Sequence, residues 1–311
     1  MQQAQIVFTQ LISLFFMILI GYVSIKIGLL PEGTREVFPD YVTKLAMPAA
    51  ILNSLLSVDR ELLSACSIII VATLIGLVVN WVLAGAGARL FRLPEDTAKS
   101  HLLSNMFSNT TFLGIPLLTA LYPQGVFCIP IYSLTCNVVL YTIGTGLYTK
   151  EVQKEKRSAA VLLRRLANPV TLATFLGIAL ALLGIRLPAL AVDVVAKIGG
   201  TSSTVSMIYI GTVLAGMDLS GVWKRSSILL SIPVRMILLP LAAFLLLRAV
   251  SADELVTQVL TIMFALPCQV SISMLAKSGG TDYIYVTEYI LLSTLLSVVT
   301  IPIVTTLTAL L

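Results

Sequence analysis

Two segments place proline and hydrogen-bonding side chains inside otherwise apolar stretches: SNTTFLGIPLL (108–118) and FALPCQVSIS (264–273). Proline removes a backbone amide and clashes with the carbonyl four residues back, here that of Phe112 or Met263. The two prolines therefore predict broken helices. The N-terminal end of a half-helix attracts an anion, whereas unwound carbonyls attract a cation or a proton donor. Together the segments predict a binding site for a small solute.

The side chains of both segments suit a carboxylate. Asparagine and threonine can donate to it, and glycine lets it approach the backbone. The candidate binding residues are Asn109, Thr110, Thr111, Gly114 and Pro116 in the first segment, and Pro267, Gln269, Ser271 and Ser273 in the second. Each serine or threonine could instead bond to its own helix backbone, and that alternative stays open.

Three charged residues lie inside apolar stretches, where charge is costly and often functional. Lys44 could snorkel to the membrane surface or face the site. Arg235 could anchor freed carbonyls, which we favour, or serve as a counter-charge for the substrate. Glu288 could carry a proton or pair with a cation such as Lys277. The single histidine, His101, is interpreted as a polar interfacial residue, with a proton switch as the alternative.

The elements that must position these residues are membrane helices. Of 311 residues, 58% are hydrophobic and 11% charged, whereas roughly a quarter are charged in a soluble domain. Only helices satisfy their own backbone in lipid at these lengths, so we expect an all-α polytopic membrane protein. Ten spans are predicted, at about 6–27, 36–57, 62–90, 97–121, 124–148, 168–184, 190–216, 226–249, 255–276 and 283–310.

The basic segment 149–165 sets the predicted topology. By the positive-inside rule this segment lies in the cytoplasm. Because five spans lie on each side of it, both termini of the chain are expected outside the cytoplasm. Five spans on either side make two inverted repeats, 1–148 and 168–311, joined by a linker at 149–167. The net charge of +5 comes from such short loops, so we expect no nucleic-acid partner.

Several pieces of sequence, spread over nearly the whole chain, resemble the auxin efflux carrier family, including its bacterial organic-acid permeases. They are KLAMPAAIL (44–52), SNTTFLGIPLL (108–118), GTVLAGMDL (211–219), RMILLPL (235–241), ALPCQVSISMLAKSGGTD (265–282) and LLSTLLSVVTIPI (291–303). The central loop is far shorter than that of plant members, which fits a bacterial protein. The apolar stretch of span 3 lacks the acidic residue proposed in plant members as partner of the span-2 lysine.

The resemblance implies the fold of bile-acid:sodium symporters and sodium/proton antiporters, with broken spans 4 and 9 crossing. Spans 1, 2, 6 and 7 would form a scaffold, often dimeric, and spans 3–5 and 8–10 a moving transport domain. It also implies elevator-type transport of a carboxylate such as malate, malonate, lactate or an indole acid. Asn109 and the amides before Pro116 would hold the carboxylate, and Lys44 would face it from the scaffold.

The sequence thus favours a secondary carrier of small organic anions in the inner membrane. The alternative is a sodium- or proton-coupled transporter, or a channel-like protein, for another solute or an ion alone. An enzyme is disfavoured because the chain has no HExxH motif and only one histidine. An ATP-driven pump is disfavoured because there is no GxxxxGK[ST] loop. We expect no cofactor or metal, and a coupling ion, if any, that is H⁺ or Na⁺.

Overall fold

The fold was analysed in a computed structural model, which describes residues 2–31, 33–56, 66–140, 169–216, 223, 225–278 and 280–311. The basic segment 149–165 and the linker 149–167 lie outside the described residues. Within the described residues every regular element is helical and no strand is formed, which confirms the all-α prediction.

The chain forms fourteen described α-helices, which we number in order. They are α1 (Gln2–Lys26), α2 (Thr34–Tyr41), α3 (Met47–Leu56), α4 (Cys66–Leu90), α5 (Glu95–Met106), α6 (Ile115–Leu121), α7 (Cys128–Val139), α8 (Pro169–Leu183), α9 (Ala189–Ala215), α10 (Ser226–Pro233), α11 (Leu239–Ala249), α12 (Glu254–Ala265), α13 (Ser271–Ser278) and α14 (Tyr283–Leu310).

Four helical stretches of the described chain are long and apolar enough to cross a membrane: α4, α9, α14 and the continuous stretch Ser226–Ala249. Shorter apolar helices include Ile12–Lys26, Pro169–Leu183 and Glu254–Ala265. Many large apolar side chains are exposed, as lipid-facing residues are, for example Phe16 and Leu90. The protein is therefore membrane-integral. The count of ten spans and their inverted repeat stay predictions.

Three wide π-helical turns precede prolines and keep the helices continuous. The turns Val42–Ala46, Thr110–Gly114 and Val234–Leu238 each end two residues before a proline, at positions 48, 116 and 240. In a π turn the backbone amide bonds to the carbonyl five residues back instead of four. This shift accommodates the missing amide of the proline that follows. Pro116 consequently lies in the first turn of α6. Span 4 is interrupted, but at residues 107–109 and not at Pro116.

The described chain divides into two compact units. Unit 1 contains residues 1–69, 110–132 and 167–217. In it, α9 packs against α1, α3, α6 and the π turns Val42–Ala46 and Thr110–Gly114. Gly21 and Gly211 allow α1 and α9 to approach closely, because a Cβ on either glycine would clash with the backbone of the other helix.

Unit 2 contains residues 70–109, 133–166 and 218–311. Its core is formed by the packing of α14 against α5, α10, α12 and the π turn Val234–Leu238. Phe264 of α12 fills the space beside Gly76 of α4, where a Cβ would overlap its ring. The contacts described below for the interrupted helices all lie within this unit.

Candidate functional site

Unit 2 contains two short unwound segments, which we call the crossing segments: residues 107–109 and 266–270. The first follows the end of α5, where Phe107 is extended with φ −109° and ψ 125°. The second follows the end of α12, where Leu266 has φ −64° and ψ 148°, and it leads into α13. Pro267 lies inside the second segment, so the predicted break of span 9 coincides with its proline.

The crossing segments are joined by backbone hydrogen bonds. The amide of Asn109 donates to the carbonyl of Pro267 over 2.8 Å, and the amide of Gln269 donates to that of Phe107 over 3.0 Å. Ser108 and Cys268 thereby form an isolated antiparallel bridge. The Cys268 amide also donates to Ser293 Oγ of α14 at 3.1 Å. Each unwound segment thus satisfies backbone groups that its own helix no longer reaches.

The guanidinium of Arg235 binds both crossing segments. Its side chain is buried, with 2% exposed. Nε donates to the Asn105 carbonyl (2.6 Å), one terminal nitrogen to the Leu266 carbonyl (3.0 Å), and the other to the Phe107 carbonyl (3.1 Å) and to Ser108 Oγ (3.2 Å). Arg235 therefore satisfies carbonyls that the ends of α5 and α12 leave free.

The position of Arg235 is also favourable electrostatically. The C-terminal end of a helix carries roughly half a negative charge. Two such ends, those of α5 and α12, meet at one guanidinium. The single positive charge of Arg235 therefore balances them, and no ion pair between Arg235 and a carboxylate is found within the described residues.

The predicted binding residues divide between the two units. Asn109, Pro267, Gln269 and Ser271 lie in unit 2 at or beside the crossing segments. Asn109 is buried, whereas Gln269 and Ser271 are half-buried. The Ser273 hydroxyl donates to the Val270 carbonyl at 2.9 Å, so this serine bonds to its own backbone.

The remaining candidates follow Asn109 directly in the chain and belong to unit 1. Thr110, Thr111 and Gly114 form the π turn, which packs against α9, and Pro116 begins α6. The ring of Phe112 contacts that of Tyr209, with centroids 4.8 Å apart. The chain thus passes from one unit to the other between Asn109 and Thr110.

Two of the predicted charges are paired. Lys44, in the π turn Val42–Ala46, is exposed and forms an ion pair with Asp40 at 2.6 Å. Glu288 forms an ion pair with Arg225 at 2.9 Å, and 16% of its side chain is exposed. The cation paired with Glu288 is therefore Arg225. The side chain of Lys277, the predicted partner, lies outside what the structure describes.

A ladder of buried polar side chains, absent from the predicted site, leads to the crossing segments. It joins residues four apart on α5 (97, 101 and 105) to Asp282, which caps α14, to two residues four apart on α14, and to two residues four apart in the stretch Ser226–Ala249. Its rungs are Thr97–Asp282, His101–Tyr285–Ser227 and Asn105–Tyr289–Ser231. The signal was visible in the sequence as polar residues at i and i+4, because such residues share one face of a helix.

Beside this ladder unit 2 has a half-open cavity of about 490 Å³, within the size range of small-molecule sites. Its polar lining consists of Asn80, His101, Asn105, Ser231 and Arg235, and most of the remaining wall is aliphatic.

Comparison with known proteins shows the family of the chain. The family described as membrane transport protein matches residues 6–305, nearly the whole chain. The chain belongs to the membrane transport protein family. The predicted resemblance to auxin efflux carriers is thereby confirmed.

Individual relatives of this membrane transport protein share about a quarter of its residues or fewer. The uncharacterized transporter YfdV of Escherichia coli (strain K12) is 25% identical over 267 residues, 83% of each chain. An uncharacterized transporter of Methanothermobacter thermautotrophicus is 22% identical over 291 residues, 94% of this chain and 95% of its own. Both relatives are described as transporters, and neither name states a substrate.

Proposed function

We propose that this protein is a secondary active transporter of small organic anions, with a substrate carboxylate bound at the crossing segments. The observation that carries the proposal is the pair of unwound, mutually bonded segments fixed by Arg235 in a membrane-integral chain of a transport family. Irregular backbone at membrane depth is tolerated only where it is buried in protein or lines a cavity, and in transporters it forms solute sites.

The chemistry of the crossing segments favours an anion. Arg235 donates hydrogen bonds to carbonyls that would otherwise suit a cation, and these bonds hold its positive charge in one position. The N-terminal end of α13 follows the second crossing segment, and such ends favour negative charge. Asn109 and Gln269 supply amide groups there, and Ser271 a hydroxyl.

The finer parts of the proposal come from the family resemblance. We include ten spans in two inverted repeats, elevator-type alternating access, a homodimer formed by scaffold helices, and mono- or dicarboxylates such as malate, malonate, lactate or indole acids as substrates. Lys44 and the residues of the π turn Thr110–Gly114 stay predicted contributors to binding. Inner-membrane location with both termini outside the cytoplasm is part of the same proposal.

Uptake by proteoliposomes tests the proposal. We expect purified protein to take up at least one of malate, malonate, lactate and an indole acid, and Asn109→Ala to abolish uptake. Gln258→Ala is the matched control, because this half-buried amide lies on α12 away from the crossing segments. Equal uptake by wild type and Asn109→Ala, at equal thermal stability, would remove Asn109 from the site. Conductance of an inorganic ion without uptake of any acid would favour a channel.

A further inference from the structure

His101 is the single histidine in the sequence, and its side chain is fully buried in α5. Its Nδ1 lies 2.7 Å from the Tyr285 hydroxyl, and its Nε2 lies 3.4 Å from Nδ2 of Asn105. The rings of Tyr285 and Tyr289 meet it edge-on, with centroids 5.9 and 6.3 Å away. The transport site proposed above gives this imidazole no role.

The hydrogen bonds around Asn105 determine which imidazole nitrogen carries the proton. Asn105 Oδ1 accepts from the Tyr289 hydroxyl at 2.8 Å, and Nδ2 donates to the His101 carbonyl at 2.8 Å. Flipping the amide would bring two oxygens together at that carbonyl, so Nδ2 must face the imidazole. Nε2 is then the bare acceptor. Nδ1 carries the hydrogen and donates to Tyr285, whose hydroxyl lies 3.0 Å from Ser227 Oγ.

The ring that carries the bare Nε2 forms part of the wall of the unit 2 cavity, although none of its surface is exposed. Gly87 belongs to the same wall. A Cβ at Gly87 would lie 3.3 Å from Nε2, closer than an ordinary contact. Asn80 lines the same cavity, is 6% exposed, and makes no side-chain hydrogen bond within the described residues. The cavity wall therefore contains both the imidazole of His101 and the buried amide of Asn80.

The charges around His101 are few. The stretch Ser226–Ala249 contributes Arg235, and α14 contributes Glu288, which is paired with Arg225. Arg225 also lies 5.8 Å from the Tyr285 ring centroid. Asp282 accepts from Thr97 and caps α14. α4 contributes only uncharged residues to the cavity beside the ring. Within the described chain no carboxylate forms an ion pair with His101, so a proton on this ring would need an added anion to offset its charge.

We propose that Nε2 of His101 is the proton-binding site of this carrier, loaded through the cavity of unit 2. A proton on Nε2 turns the acceptor that faces Asn105 Nδ2 into a second donor, so that contact is lost. The Asn105 side chain then has to move, and the backbone carbonyl of the same residue is the acceptor of Arg235 Nε. Protonation at His101 is thereby transmitted to Arg235 and the crossing segments.

The coupling to transport rests on the proposed function. A carboxylate at the crossing segments supplies the negative charge that a protonated His101 requires. By linkage, binding of the carboxylate favours protonation, and protonation favours binding of the carboxylate by the same factor. This assigns H⁺ as the coupling ion. Asn105 links the buried histidine to Arg235.

A single histidine makes the site directly observable by imidazole nitrogen NMR on histidine-labelled wild-type protein in phosphatidylcholine nanodiscs. Without substrate we expect the tautomer with hydrogen on Nδ1. As the pH falls from about 8 to about 4, a range extended below that of an exposed histidine because the ring is buried, we expect the imidazolium to form at higher pH with saturating malate or lactate than without. Hydrogen on Nε2 at high pH would overturn the proposal, and so would a ring that stays neutral throughout with either acid bound.

Two glycine variants on α4 separate access to His101 from helix effects. Gly87→Ala places a methyl group against Nε2 and should slow protonation or lower its midpoint. Gly85→Ala is the matched control, because its Cβ would meet only Leu102 at 3.9 Å. Equal NMR titrations for the two variants would overturn loading through the cavity, and these titrations do not depend on transport.

The transport arm uses His101→Gln, which keeps hydrogen-bonding groups and cannot titrate. In wild type we expect the affinity for the transported acid to rise at least about 5-fold from pH 8 to pH 6, at the lower end of common coupling factors. In His101→Gln this change should vanish. If a folded His101→Gln protein still binds the transported acid with pH-dependent affinity, the coupling is overturned. If no acid is taken up at any pH while the NMR result holds, the transport proposal fails and the proton site stands.

Discussion

The two crossing segments interrupt their helices in different ways. Residues 266–270 contain Pro267, whose missing amide interrupts α12 locally. Residues 107–109 contain no proline, and Pro116, seven residues beyond Asn109, lies in the first turn of α6. The first segment is held open by its bonds to the second and by Arg235. One break is therefore local in origin, whereas the other depends on tertiary contacts.

The largest expected effect comes from removing the tertiary support. Arg235→Ala leaves the carbonyls of Asn105, Phe107 and Leu266 without their charged donor. Since such a bond is worth roughly 1.5–3 kcal/mol, we expect the free energy of unfolding to fall by at least about 3 kcal/mol. Thermal melting in detergent and proteoliposome uptake measure the loss.

Arg235→Lys is the control for charge. It keeps the positive charge but lacks the planar fork that reaches three carbonyls, so it should melt between wild type and Arg235→Ala. Added guanidinium should partly restore the melting temperature of Arg235→Ala and leave that of wild type unchanged. A wild-type melting temperature in Arg235→Ala would refute the tertiary origin of the first break.

An intermediate effect is expected from the proline of the second segment. Pro267→Ala restores an amide that can bond to the Met263 carbonyl, so α12 can extend into the crossing segment. We expect uptake to fall about tenfold, which corresponds to about 1.4 kcal/mol.

Pro116→Ala is the matched variant for the first segment. Since Pro116 follows a π turn and begins a helix, its replacement should change uptake by less than about twofold, a few tenths of a kcal/mol. Equal losses in the two proline variants would mean that both breaks have the same origin.

The smallest effect is expected at Ser293, whose hydroxyl accepts from the Cys268 amide of the second segment and donates to the Ile290 carbonyl of its own helix. Ser293→Ala should lower the free energy of unfolding by about 1 kcal/mol, the usual net value of one neutral hydrogen bond. Ser297→Ala is the control, because this buried hydroxyl donates to the Thr294 carbonyl of its own helix. A larger loss for Ser297→Ala than for Ser293→Ala, measured by melting, would argue against this anchor.

Asn109, Gln269 and Ser271, which the sequence singles out, lie at or beside the crossing segments, and Arg235 caps freed carbonyls as the sequence favours. The proline rule misplaces the first break, because the rule is local and a π turn can accommodate the proline that follows it. Asn105, Tyr285 and Tyr289 are not among the predicted site residues, although the four-residue spacing of the two tyrosines is visible in the sequence.

Hydropathy and proline content alone therefore determined the all-α membrane class and the break at Pro267, because burial in lipid and a missing amide act through neighbouring residues. Only the tertiary structure decided where the first helix ends. The donor that holds its carbonyls, Arg235, lies 130 residues from Asn105 and 128 from Phe107. A hydrogen bond of that sequence separation depends on the packing of whole helices, which no local pattern encodes.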